Sequence, residues 1–147
     1  MTDQQPLHFD VDPIEAAFGQ MAGPVHLPSL SPQERARTLV ELLGWVRTLI
    51  QRFGIEPRVL PPCWEQHNGM VEALLALRDH ERACYADSAS PTAAVDWLRA
   101  LREIEIRLAD LAAQTQCTVH EHRPTPVQEW ATRRPLHAAA GEESSHV

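Results

Sequence analysis

Lysine is absent from this chain of 147 residues, so all thirteen basic residues are arginine. We read that bias as the codon usage of a GC-rich genome and not as a function. Positive charge is also in deficit: the formal net charge is −7. Phosphate binding needs clustered positive charge, so broad polyanion binding is disfavoured. No apolar stretch approaches the roughly 18 residues of a membrane span. "MTDQQPLHFDVDP" carries acidic residues and no apolar run behind a basic start, so it does not read as a secretory signal. A soluble cytoplasmic protein is the expectation. Glycine-rich phosphate loops, a G-x-S-x-G elbow and paired carboxylates at interpretable spacing are missing too, which removes the common sequence arguments for an enzyme. Cysteine is scarce. Three residues, an odd number in a reducing compartment, point to thiols or metal ligands in preference to a disulfide framework.

What is present is helical periodicity. A chain of this length fits one domain with a core of its own. In "SLSPQERARTLVELLGWVRTLIQRFG", Ser31 is placed to cap a helix, Pro32 to open it and Glu34 to reach back to the cap amide. Gly54 suits the left-handed residue that ends it. Leu39, Leu42, Leu43, Val46, Leu49, Ile50 and Phe53 form one apolar stripe, predicting a helix over Pro32 to Phe53. A second helix is expected over Asn68 to Tyr85, with Met70, Val71, Leu74, Leu75 and Leu77 inward. A third is expected over Pro91 to Thr115, capped by Ser90, with Ala94, Trp97, Leu98, Leu101, Ile104, Leu108 and Leu111 inward. On its wet side Arg99, Glu103 and Arg107 are spaced as charge pairs four apart.

The expected fold is therefore all-α, an antiparallel three-helix bundle with an irregular N-terminal arm and a largely disordered C-terminal tail. The arm covers residues 1–30 and partly docks, with a turn or two of helix through Ile14 to Gln20. The bundle covers residues 31–123. Residues 124–147 form a proline- and alanine-rich mobile tail whose composition offers little to bury.

Trp64, His67, Val71, Leu74, Ala76 and Leu77, followed by a Trp97-bearing helix and Cys117, carry a resemblance over roughly residues 57–124. The run resembles small uncharacterised proteins of actinobacterial plasmids and integrative elements. That resemblance implies a bacterial cytoplasmic setting and a link to mobile DNA, and it brings no activity with it.

The residues with chemistry are few. In an up-down-up bundle the start of the second helix and the end of the third share one end, which brings Cys63 and His67 toward Cys117, His120 and His122. Zinc takes four thiolate or imidazole ligands in a tetrahedron, usually as two close pairs, and C-x3-H with C-x2-H would supply them, with His120, or else His122, as the fourth. The competing account has Cys63 and Trp64 closing the core against the end of the third helix, with the histidines in a surface loop. From sequence alone the second account is favoured, so no metal and no cofactor is expected. "HERAC" sets His80 and Cys84 one turn apart beside Glu81, imitating a metalloprotease helix or a thiol beside a base. With no third ligand and no oxyanion donors it carries no catalytic assignment.

Arg35, Arg37, Arg78, Arg82, Arg133 and Arg134 are candidates for phosphate contact, each offset by nearby acids. Direct nucleic-acid binding is disfavoured. Trp130, in "RPTPVQEW", can be presented to a protein partner as a short motif or can fold back on the bundle. The sequence thus reads as a non-enzymatic interaction or accessory protein, possible oligomers included. A zinc-stabilised module associated with nucleic acid and a thiol enzyme are the alternatives.

Overall fold

The computed structural model describes residues 23–125, and no strand occurs among them. Three helices follow in chain order: α1, Pro32–Phe53; α2, Asn68–Cys84; and α3, Ala93–Thr115. Single 3-10 turns at Leu27–Ser29 and Trp64–Gln66 precede α1 and α2. The expectations for Ile14 to Gln20 and for the tail beyond Thr125, including Trp130, Arg133 and Arg134, lie outside the described residues.

The ends of α1 follow from their residues. Ser31 Oγ accepts the Glu34 amide while Glu34 accepts the Ser31 amide at 2.8 Å, satisfying two donors that a helix start leaves unpaired. Those bonds hold the Glu34 carboxyl below its usual range. Gly54 closes the helix at φ 64°, a conformation that costs a side-chain-bearing residue steric strain. The start of α3 differs from expectation by two residues. Ser90 caps only the Thr92 amide, and the segment from Pro91 to Thr92 is a turn that leads into the helix at Ala93.

Antiparallel α2 and α3 form the best-packed pair, with Leu111 resting against Gly69 near one end. α1 meets α2 toward the other end, where Trp45 and Arg52 both reach Glu81 and Phe53 tilts against Trp97. The connection from Gly54 therefore has to return to the start of α2. Its first residues run beside Arg102 to Asp110 of α3 and leave a groove of about 440 Å³ between them. The core unites Leu42, Val46 and Leu49 of α1, all five expected apolar residues of α2, and Trp97, Leu101, Leu108 and Ala112 of α3.

Some stripe positions are only edges of the buried face. Leu39, Leu43, Ile50 and Phe53 are half-buried, and Leu98, expected inward, is 52 % exposed. The charge pairs of α3 also differ: Arg99 pairs with Asp96 at 3.1 Å, and Arg102 approaches Glu105 at 3.8 Å. Just before α1, Leu27 is buried and the Val25 amide donates to Asp79 at 2.8 Å.

Candidate metal centre

The connection from α1 reaches the shared end of α2 and α3 through Pro61, Pro62 and Cys63. Trp64 is buried and anchors the 3-10 turn, whose first amide bonds to the Pro61 carbonyl at 3.0 Å. That turn holds Cys63 on one side and His67 on the other. His67 is the N-cap residue of α2: its carbonyl accepts the Met70 and Val71 amides, but its side chain makes no capping bond. The imidazole is instead 3 % exposed and faces the end of α3.

α3 ends on Gln116, whose left-handed φ of 56° is strained for a residue with a side chain and reverses the chain direction. The Thr115 hydroxyl donates to the Ala112 carbonyl and accepts the Cys117 amide, bracing the reversal. A tight turn follows, in which the Thr118 amide bonds to the Glu121 carbonyl and the Thr118 hydroxyl accepts the amides of His120 and Glu121. This turn carries His122 back over Cys117.

The result is one cluster. Cys63, His67, Cys117 and His122 each offer a ligand atom, and the four atoms all lie within 4.8 Å of one another. His67 Nε2 is 3.6 Å from Cys63 Sγ and 3.3 Å from Cys117 Sγ, while His122 Nδ1 is 4.0 Å from Cys117 Sγ. The two imidazole rings are 4.9 Å apart, tilted by 49°. His120, which the C-x2-H spacing offered ahead of His122, is exposed and outside the cluster, because the turn after Cys117 brings His122 back instead. Two neighbours complete the surroundings. Thr125 Oγ1 lies 3.0 Å from His67 Nδ1, and the Arg123 amide donates to Cys117 Sγ at 3.2 Å.

The cluster's electrostatics are uneven. Burial pushes the Cys63 thiol up, and the adjacent Cys117 adds to the rise. Burial acts the same way on Cys117, but hydrogen bonds from Thr115, the Arg123 amide and Cys63, with the Arg123 charge, outweigh it and lower its pKa. His67 is held below the ordinary histidine value by burial and then by the positive charge His122 can carry. Cys117 is thus disposed to ionise and the buried imidazole to stay neutral, as a soft metal ion requires of its ligands, while Cys63 would have to give up its proton against its raised pKa.

The other sequence candidates are accounted for differently. His80 Nε2 and Cys84 Sγ are 3.3 Å apart near the end of α2, and His80 is exposed. Glu81 between them is engaged elsewhere, one oxygen by the Trp45 indole and the other by Arg52, each at 2.7 Å. Arg78 is buried against Asp79 and Glu41 and is not free for a phosphate, whereas Arg82 holds Asp79 at 2.6 Å from the exposed side. No helix of the described residues is long and apolar enough to cross a membrane. No family model, curated protein or solved structure matches this chain.

Proposed function

We propose that Cys63, His67, Cys117 and His122 hold one zinc ion that ties the start of α2 to the exit of α3. On this reading the chain is a metal-stapled helical bundle with an interaction or accessory role and no catalytic one. The observation that carries it is the placement of His67 Nε2 within 3.6 Å of both sulfurs. A neutral imidazole nitrogen has either one lone pair or one proton to offer, so as a hydrogen-bond partner it serves one thiol, and the Cys117 thiol turns to the Arg123 carbonyl at 3.4 Å. A cation between the three atoms satisfies all of them. With zinc bonds of about 2.3 Å to sulfur and 2.0–2.1 Å to nitrogen, the edges of a tetrahedron are about 3.3–3.8 Å long. Three of the four sulfur–nitrogen separations in the cluster, 3.3, 3.6 and 4.0 Å, fall at or just beyond that range, and the fourth lies within 4.8 Å.

The choice of metal follows from the donors. Two thiolates and two imidazoles in a tetrahedral arrangement suit zinc and exclude the hard oxygen-seeking cations. Four protein ligands fill the tetrahedron, leaving no position for water or substrate, which favours a structural role over a Lewis-acid one. Thr125 accepts the proton on His67 Nδ1, so the ring presents Nε2 to the metal, and the Arg123 amide stabilises the Cys117 thiolate. A reducing bacterial cytoplasm, the setting the plasmid-protein resemblance implies, keeps both thiols available for the metal. The net charge of −7 and the burial of Arg78 against Asp79 favour a protein partner over nucleic acid.

Full-length protein purified without a histidine tag should contain about one zinc per chain by elemental analysis. Because the ligands come from both ends of a 50-residue loop, binding free energy becomes folding free energy. Chelation should then lower the melting temperature by on the order of 10 °C. Substoichiometric zinc after reconstitution, with a chelator-insensitive melt, would overturn the proposal.

A further inference from the structure

The two sulfurs of the cluster lie within 4.8 Å of each other although 54 residues separate them in sequence. Both cysteines are half-buried, and the neighbouring His122 is exposed, so a small solute reaches the sulfurs from the His122 side. The remaining thiol cannot compete. Cys84 closes α2, whose start lies beside Cys63, and a 17-residue helix separates its ends by about 24 Å. The chain therefore has a single intramolecular disulfide within reach, and forming it consumes half of the proposed metal ligands.

We infer that the centre is a peroxide-responsive switch in which oxidation joins Cys63 to Cys117 and expels the zinc ion; this rests on the metal reading above. The step balances with hydrogen peroxide as oxidant. One zinc-bound thiolate attacks a peroxide oxygen, the O–O bond breaks, and a sulfenic acid forms while a protonated hydroxide leaves as water. The second thiolate displaces the sulfenic oxygen, which takes a proton and leaves as a second water, and the S–S bond forms. The two sulfurs give up two electrons in all, the peroxide accepts them with two protons, and Zn²⁺ departs because two imidazoles alone bind it weakly.

The geometry also says what changes. A disulfide keeps α2 linked to α3, since it joins the same two segments. His67 and His122 lose their common partner, so the loop from Thr118 to Thr125 loses its tie through His122 and keeps only the Thr125 hydroxyl against His67 Nδ1. The switch thus acts on the loop and leaves the bundle closed.

The experiment uses zinc-loaded full-length chain, with zinc measured before any oxidant is added. Titration with hydrogen peroxide in the presence of a metallochromic indicator should release the bound zinc in parallel with a mass loss of two hydrogens. Peptide mapping should find that loss in a Cys63–Cys117 link. Thiol reductant plus zinc should restore the starting state, and Cys84→Ser should behave as the parent does. Retention of zinc by a chain that carries it, or release accompanied by isolated sulfinic acids in place of the disulfide, would overturn the switch and leave the metal reading standing. A reconstituted chain that never takes up zinc would overturn both.

Discussion

His67 stands where a helix commonly takes Ser, Thr, Asp or Asn to satisfy its first amides, yet its side chain leaves those amides alone. The ring turns inward, meets two sulfurs with Nε2 and reaches Thr125 with Nδ1. In metal sites such an outer partner fixes the tautomer and is worth about 10–100-fold in affinity. Thr125→Val, close in shape but without the hydroxyl, should weaken zinc binding by about that factor, measured by competition with a chromophoric chelator. His120→Ala should leave the affinity unchanged, since that side chain lies outside the cluster. Equal losses from the two substitutions would refute the ligand assignment. The sequence supplied Cys63, His67 and Cys117 by spacing but put His120 ahead of His122 as the fourth ligand, and the structure reverses that order. Thr125 carried no signal at all, because an outer partner is defined by a contact across 58 residues and not by its own residue type.

At the scale of the helix, a period of 3.6 residues marks a broad apolar face, and the neighbouring helices decide which part of it is deepest. α1 illustrates this with adjacent leucines. Leu42 is fully buried, whereas Leu43 lies at the margin of the core. Leu42→Ala should cost about 2–5 kcal/mol and Leu43→Ala clearly less, because a marginal side chain leaves a smaller enclosed void. Denaturant melts of both variants check the order, and a reversed order would mean that the core centres on the other face. α3 shows the same effect, with Trp97 and Leu101 buried and Leu98 facing out. Helix ends divide similarly. The capping box and Gly54 of α1 were legible because their residue types suit their backbone geometry. Gln116 was not, since only tertiary packing selects a glutamine for a left-handed position.

Across the whole molecule, Asp79 joins the arm to the bundle. It accepts the Val25 amide from the arm and the Arg82 and Arg78 guanidinium groups from its own helix. Burial alone would raise its pKa, but those three partners reverse the effect and hold the carboxyl below its usual value of 3.8. The folded state therefore binds this proton less tightly than the unfolded chain does. The stabilisation is complete above the ordinary carboxylate range and is lost as pH falls through the lower folded value. Asp79→Asn should lower the melting temperature at neutral pH, and the gap from the parent should narrow as acid protonates Asp79. Comparing the two proteins along one pH series cancels acid effects elsewhere, including any at the Cys/His cluster. A gap that stays constant with pH would mean that Asp79 acts through packing alone. The substitution is severe for a second reason: Arg78 is buried, and its Nε already has no partner among the described residues.

Much of this protein is determined locally. Ser31, Pro32, Glu34 and Gly54 mark the ends of α1, and the apolar spacing of α2 identifies its buried face apart from Ala73 and Arg78, because caps and periodicity act over one or two helical turns. The all-α fold follows from three such segments needing each other's apolar sides. The shared end of α2 and α3 was also accessible from topology, which is why Cys63, His67 and Cys117 could be placed together. Tertiary structure decided the rest. The reversal at Gln116, the turn from Thr118 to Glu121 and the return of the Gly54 connection along α3 select His122 over His120 and seat His67 between two sulfurs. Those outcomes depend on closing a loop of about 50 residues, where position is set by the sum of all intervening packing and not by any local propensity.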